Sequence, residues 1–232
     1  VTPFEGERLL LLSSGTARRP GDRDHESPAG FDKGYRSPFP EGSAVTAPAC
    51  PEVTTGATYD DIALDVVLRP PPGAEGLSFD FVFFTYEWPE YVCSIFNDFF
   101  LALLDPPPDG QGSANISFDR QENPVSVNTA LVDACSCAGG PPCPGPPPPA
   151  PPRIQFECPE GDDLLEDTGY ETRAATGRLR TMVPVTTDSE GLVRLRLAVF
   201  DSGDPVLDSL VVLDNFRWLG EGNLEGPITE PR

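Results

Sequence analysis

The stretch LVRLRLAVF, residues 192–200, alternates without a break: Val193, Leu195, Leu197 and Val199 fall on one side, Arg194 and Arg196 on the other. Successive side chains of an extended chain point to opposite faces, so a period of two marks a strand with one face buried and one wet. Two upstream stretches carry the same signature. In IALDVVLR (62–69), Ile62, Leu64, Val66 and Leu68 share a face; in LSFDFVFF (77–84), Leu77, Phe79, Phe81 and Phe83 share one, with Ser78 and Asp80 opposite. Weaker strands are expected at RLLLLSS (8–14), DFFLALL (98–104), NISF (115–118), PVSVN (124–128), GRLRTMVPV (177–185) and DSLVVLDNFRW (208–218).

Helix signals are nearly absent, and 29 prolines and 22 glycines break the chain into short apolar runs. That rhythm predicts an all-β fold: a two-sheet antiparallel β-sandwich, jelly-roll-like, with long irregular loops. Composition divides the chain into three parts. Residues 1–48 hold one early strand and an irregular excursion packed on the sandwich; 49–219 form the sandwich; 220–232 read as a linker or tail. The segment GGPPCPGPPPPAPP (139–152) reads as a stiff polyproline II loop, or as a ligand for an aromatic groove.

The charge is lopsided, with 37 Asp and Glu against 16 Lys and Arg, a net of −21. Such a chain repels nucleic acid phosphates and anionic membrane surfaces, and it suits divalent cations. No stretch approaches the ~20 apolar residues of a membrane helix, and Leu9–Leu12 is too short for a signal core, so export would mean that a signal has already been removed. Cys50, Cys93, Cys135, Cys137, Cys143 and Cys158 form an even set with wide spacing, which predicts disulfides made in an oxidising compartment. Their pairing is open. A zinc site on Cys135, Cys137 and Cys143 is the competing reading, but paired Cys-x-x-Cys knuckles are missing and the lone histidine, His25, lies far upstream.

In LAVFDSGDPVLDSLVVLDNF (197–216), Asp201, Asp204, Asp208 and Asp214 crowd among residues that belong in a core. A second acidic group, YEWPEYVCSIFNDFF (86–100), supplies Glu87, Glu90, Asn97 and Asp98 after a strongly β segment. Loops gather at the ends of a sandwich, so the two groups can meet there. Calcium accepts six to eight oxygens in irregular geometry and would relieve the repulsion. The predicted metal set is therefore Glu87, Glu90, Asn97, Asp98, Asp201, Asp204 and Asp208. The plain alternative is that these aspartates bond their own backbone in turns.

Catalysis is not expected. Glu87 with Glu90 or Asp98 could serve a glycosidase, but spacing fixes no carboxylate separation, and His25 is the sole histidine. Tyr86, Trp88 and Tyr91 could stack on sugar rings or simply pack. Lys33, the only lysine, could form an internal amide with an Asp or Asn or lie in an ordinary ion pair, and Asn115 heads the glycosylation triplet NIS.

Four stretches resemble the choice-of-anchor L domain of secreted bacterial surface proteins: PACPEVTTG (48–56), LSFDFVFFTYEWPEYVCSIFNDFF (77–100), NISFDRQENPVSVN (115–128) and the run from Ala174 to Trp218. FDKGY (31–35) and LSSGTA (12–17) resemble the upstream portion of longer members. The resemblance implies export, a β-sandwich, and display outside the cell; it implies no enzymatic activity. It marks Glu87, Glu90, Asn97, Asp98, Asp201, Asp204 and Asp208 as a set, because they sit in the two matching motifs. The resulting expectation is a non-catalytic adhesion, matrix or assembly module, stabilised by calcium. Its partner would be an extracellular protein, a polysaccharide or a second copy of itself. Carbohydrate binding or hydrolysis, and a fibre assembled by strand addition, are the alternatives.

Overall fold

A computed structural model describes residues 2–40, 46–129, 131–145, 155–222 and 224–232. Among these there is no α-helix, only a single 3-10 turn at Asp163–Leu165, and the chain forms a two-sheet antiparallel sandwich. The first sheet runs β1 (Leu10–Ser13), β13 (Ser209–Leu219), β4 (Gly76–Thr85), β10 (Ala174–Thr176) and β7 (Val132–Cys135). Further along β4, β11 (Leu179–Pro184) pairs with it and carries β14 (Ile228–Pro231) outside. The second sheet is β2 (Arg36–Ser37), β3 (Thr58–Leu68), β12 (Val193–Ser202), β5 (Phe99–Asp105) and β6 (Val125–Ser126). A hairpin of β8 (Cys143–Pro144) and β9 (Gln155–Phe156) stands apart.

The alternating rows build the core between the sheets. Phe79, Phe81 and Phe83 of β4 meet Leu195, Leu197 and Val199 of β12, with Phe100, Ala102 and Leu104 of β5 beside them. Each fully buried side chain of this size contributes about 1.5–3 kcal/mol. β4 and β5 are also covered on their outer faces, which explains why FFLALL reads as a continuous apolar run. Val82 and Phe84 pack under Leu165 and Tyr170, while Phe99, Leu101 and Phe200 pack under Phe39 of the N-terminal excursion.

The N-terminal excursion is thus part of the fold: β1 extends the first sheet along β13, β2 pairs with the start of β3, and Phe39 caps Phe200 at 5.4 Å. Residues 220–232 are not a free tail. They return as β14, and Arg232 ends 2.6 Å from Asp80. NISF (115–118) makes only isolated bridges, at Asn115 and Phe118. Residues 146–152, half of the proline-rich segment expected as polyproline II, lie outside the described residues.

Two bulges re-aim polar side chains. On β3, Asp60 and Asp61 are squeezed between the Ile62–Val199 and Tyr59–Asp201 pairs, and Asp60 takes φ 48°. On β13, Asn215 and Phe216 are squeezed between Asp214–Asp80 and Arg217–Ser78, and Asn215 takes φ 55°. An extra residue bends the strand and re-aims what it carries. Asn215 accordingly donates to Asp80 at 2.7 Å, and Asp80 also receives Arg180 at 2.6 and 3.1 Å.

Candidate functional site

One end of the sandwich collects the carboxylates. Asp98 immediately precedes β5, Asp201 continues the inward row Leu195, Leu197, Val199 of β12, and Asp208 immediately precedes β13. Glu87 follows β4 by two residues, and the Asp60 bulge sits beside Asp201. Topology therefore delivers five acids from both sheets to one place. Asp60, Asp98 and Asp201 are fully buried, Asp208 is 1% exposed and Glu87 2%.

The hydrogen-bond supply falls short of the oxygens. Asp98 accepts from Ser209 Oγ at 2.7 Å and Ser202 N at 3.2 Å; Asp60 accepts from Lys33 N at 2.7 Å. Glu87 Oε2, Asn97 Oδ1 and Asp208 Oδ1 are buried with no partner, and neither Asp201 oxygen makes a hydrogen bond of full geometry, although Ser14 and Asp98 stand close enough to act on that carboxyl. A buried carboxylate oxygen without a donor or cation is costly, so this chamber is incomplete as a purely internal network.

Electrostatics report the same shortage. Burial, reinforced by the charges of Asp98 and Asp204, pushes Glu87 up to about 10. Burial likewise raises Asp98 to about 8 against the pull of its Ser209 and Ser202 hydrogen bonds. Asp208 is raised to about 8 by burial and by Asp98, with Lys33 opposing, and Asp201 is raised well above the usual range by burial and Asp98. The one ammonium nearby is Lys33, whose Nζ donates to the Ser13 carbonyl at 2.7 Å. Burial lowers its pKa, while Asp60, Asp201 and Asp208 oppose that drop. Its amine is therefore bonded to the backbone, not to a carboxylate poised for an amide link.

The remaining predicted site residues divide. Asp204 is partly buried; its Oδ1 accepts from Val206 N at 3.0 Å, an aspartate turn, and its charge acts on Glu87 and Asp98. Glu90 is turned away and pairs with Arg173 at 2.7 Å. Asp214 is spent on the N-terminus, accepting from Phe4 N and Glu5 N at 2.8 and 2.9 Å. Trp88 is fully buried against Phe156, Tyr91 packs on Phe96, and Tyr86 lies between Tyr170 and the Arg173 guanidinium. These three rings form packing, not an open platform for sugars. Asn115 is also buried, with its Nδ2 bonded to the Ser117 carbonyl, which leaves no room for a glycan. Asp60, Ser202 and Ser209 belong to the chamber without any signal from spacing beyond the doubled acid Asp60-Asp61 ahead of an alternating strand, and Lys33, notable in the sequence as the only lysine, joins them.

All six cysteines are paired, as Cys50–Cys93, Cys135–Cys158 and Cys137–Cys143. The first bridge ties the 49–56 loop to the segment carrying Glu87 and Asn97. Beneath it, Gly56 and Gly203 pass so closely that a Cβ on Gly56 would stand 2.6 Å from the Gly203 Cα.

The family model of the choice-of-anchor L domain matches residues 57–216. This chain belongs to that family. The matched span runs from β3 to β13, so it contains every acid of the chamber. Comparison with curated proteins and with solved structures returns no match. The choice-of-anchor L chain is a surface-associated or secreted bacterial protein, and among its described residues no helix is long and apolar enough to cross a membrane.

Proposed function

We propose that this choice-of-anchor L domain is a non-catalytic extracellular module whose acidic chamber takes a calcium ion, and that the ion locks the loop end of the sandwich for adhesion or assembly. The observation that carries the reading is the set of buried oxygens without partners on Glu87, Asn97 and Asp208, gathered around the buried Asp98 and Asp201. An all-oxygen donor set without histidine or thiolate suits a hard cation, and the irregular arrangement suits calcium better than magnesium. The only group of three or more His, Cys, Asp or Glu among the described residues whose ligand atoms lie within 4.8 Å of one another is a trio of cysteines. Calcium would therefore draw the carboxylates inward by side-chain rotation, with Asp98 held by Ser209 as the fixed point.

Differential scanning calorimetry in calcium and in chelator tests this. Saturation at about a hundred times Kd adds about 2.7 kcal/mol, which for a chain of this size raises Tm by about 5–10 °C. An unchanged Tm, with no heat of calcium binding, overturns the reading.

A second observation favours assembly through strand addition. Among the described residues, no strand pairs with the outer edge of β3 beyond Tyr59. Leu64, Val66 and Leu68 open with Leu9, Leu10 and Phe216 onto an apolar cleft of about 530 Å³ that reaches core residues Phe79 and Leu197. A free edge beside exposed apolar surface is a template for another strand. Replacing Leu64 with Asp and Val67 with Lys should abolish concentration-dependent association in sedimentation velocity; a monomer at every concentration in the parent protein removes this reading.

A further inference from the structure

Two of the disulfides touch. Cys135 ends β7, Cys137 lies two residues on, Cys143 opens β8 and Cys158 follows β9. Cys143 Sγ, bonded to Cys137, lies 3.7 Å from Cys158 Sγ, bonded to Cys135. The sulfurs of Cys135, Cys143 and Cys158 all fall within 4.8 Å of one another. Access to them is unequal. Cys143 is fully buried, Cys135 2% exposed and Cys158 3%, whereas Cys137 is only partly buried and leads into the exposed loop 138–142.

Thiol–disulfide exchange needs a thiolate in contact with a disulfide sulfur, and which sulfur is attacked follows access. An external thiol can reach Cys137 and cannot reach the other three. Cys143, once released, is already against Cys158. We propose that the Cys137–Cys143 bridge is a capture site for small thiols, made durable by a relay into the buried bridge. The incoming thiolate attacks Cys137 Sγ, forming a mixed disulfide there and breaking the bond to Cys143, whose sulfur leaves with the electron pair. The Cys143 thiolate attacks Cys158 Sγ; a Cys143–Cys158 bond forms and the Cys135–Cys158 bond breaks. Cys135 leaves as thiolate and takes up the proton that the incoming thiol lost. Two disulfides and one thiol enter, and two disulfides and one thiol result, so no oxidant or reductant is consumed. Without the second step, Cys143 would remain beside the mixed disulfide and expel the adduct. The relay removes that leaving route by consuming Cys143 in the apolar cluster around Trp88 and Phe156.

The test uses the oxidised wild-type chain, briefly exposed to a small excess of cysteamine at mildly alkaline pH, then quenched with acid and unfolded in guanidinium chloride containing N-ethylmaleimide, so that a buried thiol is labelled as readily as an exposed one. Tandem mass spectrometry of the non-reduced digest then locates each sulfur. The expected product carries cysteamine on Cys137, maleimide on Cys135 and a new Cys143–Cys158 link. Maleimide on Cys143 or Cys158 overturns the relay, and so does a failure to take up cysteamine at all.

Discussion

Ser209, the first residue of β13, donates its hydroxyl to Asp98, the residue before β5, at 2.7 Å, and so joins the two sheets across the acidic end of the sandwich. The partners are 111 residues apart in sequence and wholly buried. The same carboxylate accepts from Ser202 N of β12, so three strands converge on one side chain. Asp98 is both the joint of the scaffold and the centre of its repulsion, since its charge acts on Glu87, Asp201 and Asp208.

That double role separates two variants. Asp201→Asn replaces a carboxyl that burial and the charge of Asp98 hold protonated well above the usual range, so in chelator at neutral pH it should leave Tm within about 2 °C of the parent and raise it only as pH climbs toward 9 and the parent chamber ionises. The same change should abolish the calcium-induced rise. Asp98→Ala also ends the calcium response but lowers Tm in chelator, because Ser209 Oγ and Ser202 N lose their acceptor, a cost of about 1–3 kcal/mol. Melts of both variants with and without calcium check this; an Asp201→Asn variant that keeps the full calcium shift would remove Asp201 from the site.

The floor of the chamber rests on two glycines in contact. A Cβ on Gly203 would meet Phe96 at 2.6 Å, and its φ of 96° suits only glycine; a Cβ on Gly56 would press on the Gly203 backbone. Gly203→Ala should therefore destabilise by about 1–3 kcal/mol through overpacking, with an added penalty from its backbone conformation. Because Gly203 lies between Asp201 and Asp204, calcium affinity should fall too. Urea unfolding and calcium titration on the same variant measure the two effects.

How much of this was readable depends on whether a residue's fate is local. Val193 to Val199 alternate because a strand with one buried face must, and the same logic located β3 and β4; on β3, however, the row expected inside borders the apolar cleft, with Ile62 37% and Leu64 36% exposed. The gathering of Glu87, Asp98, Asp201 and Asp208 followed from their places beside strand ends. Glu90 carries the same motif, yet Arg173, 83 residues away, draws it outward. Local sequence leaves Trp88 open to stacking or to packing, and Phe156, distant in the chain, decides for packing. β2, β8, β9 and β14 span two to four residues and owe their existence to a partner strand, so no internal period reports them. The bulges at Asp60 and Asn215 were hidden for the same reason: a bulge is a mismatch in count between two strands.

Asp80 shows what a satisfied buried acid looks like. Burial would raise its pKa, but hydrogen bonds from Arg180 and Asn215 and the charges of Arg180 and Arg232 outweigh it and hold the carboxyl below its usual value. Both arginines are about one-third exposed, so solvent screens part of the pair. Asp80→Ala should cost about 3 kcal/mol, the low end for breaking a buried pair. It should also loosen β14, which Arg232 ties to β4, and faster amide exchange across 228–231 would register that. Unchanged exchange would mean that the β11 ladder alone holds the strand.

The chamber and Asp80 should answer pH with opposite signs. An Asp80 whose folded pKa is depressed contributes stability above the unfolded carboxyl value of about 4 and loses it as pH falls. Glu87, Asp98, Asp201 and Asp208 have folded pKa values raised above that figure. The folded chain then binds more protons than the unfolded chain, so their contribution is complete below about 4 and drains away as pH rises through about 8 and on toward 10. In chelator, Tm should decline steadily from pH 5 to about pH 9. Calcium competes with those same protons, so its stabilisation should be small at pH 5 and grow as the carboxyls ionise, flattening the decline. Melting curves across this range, with and without calcium, separate the contributions. A chelated protein equally stable at both ends would mean that the buried oxygens do not carry the protons assigned to them.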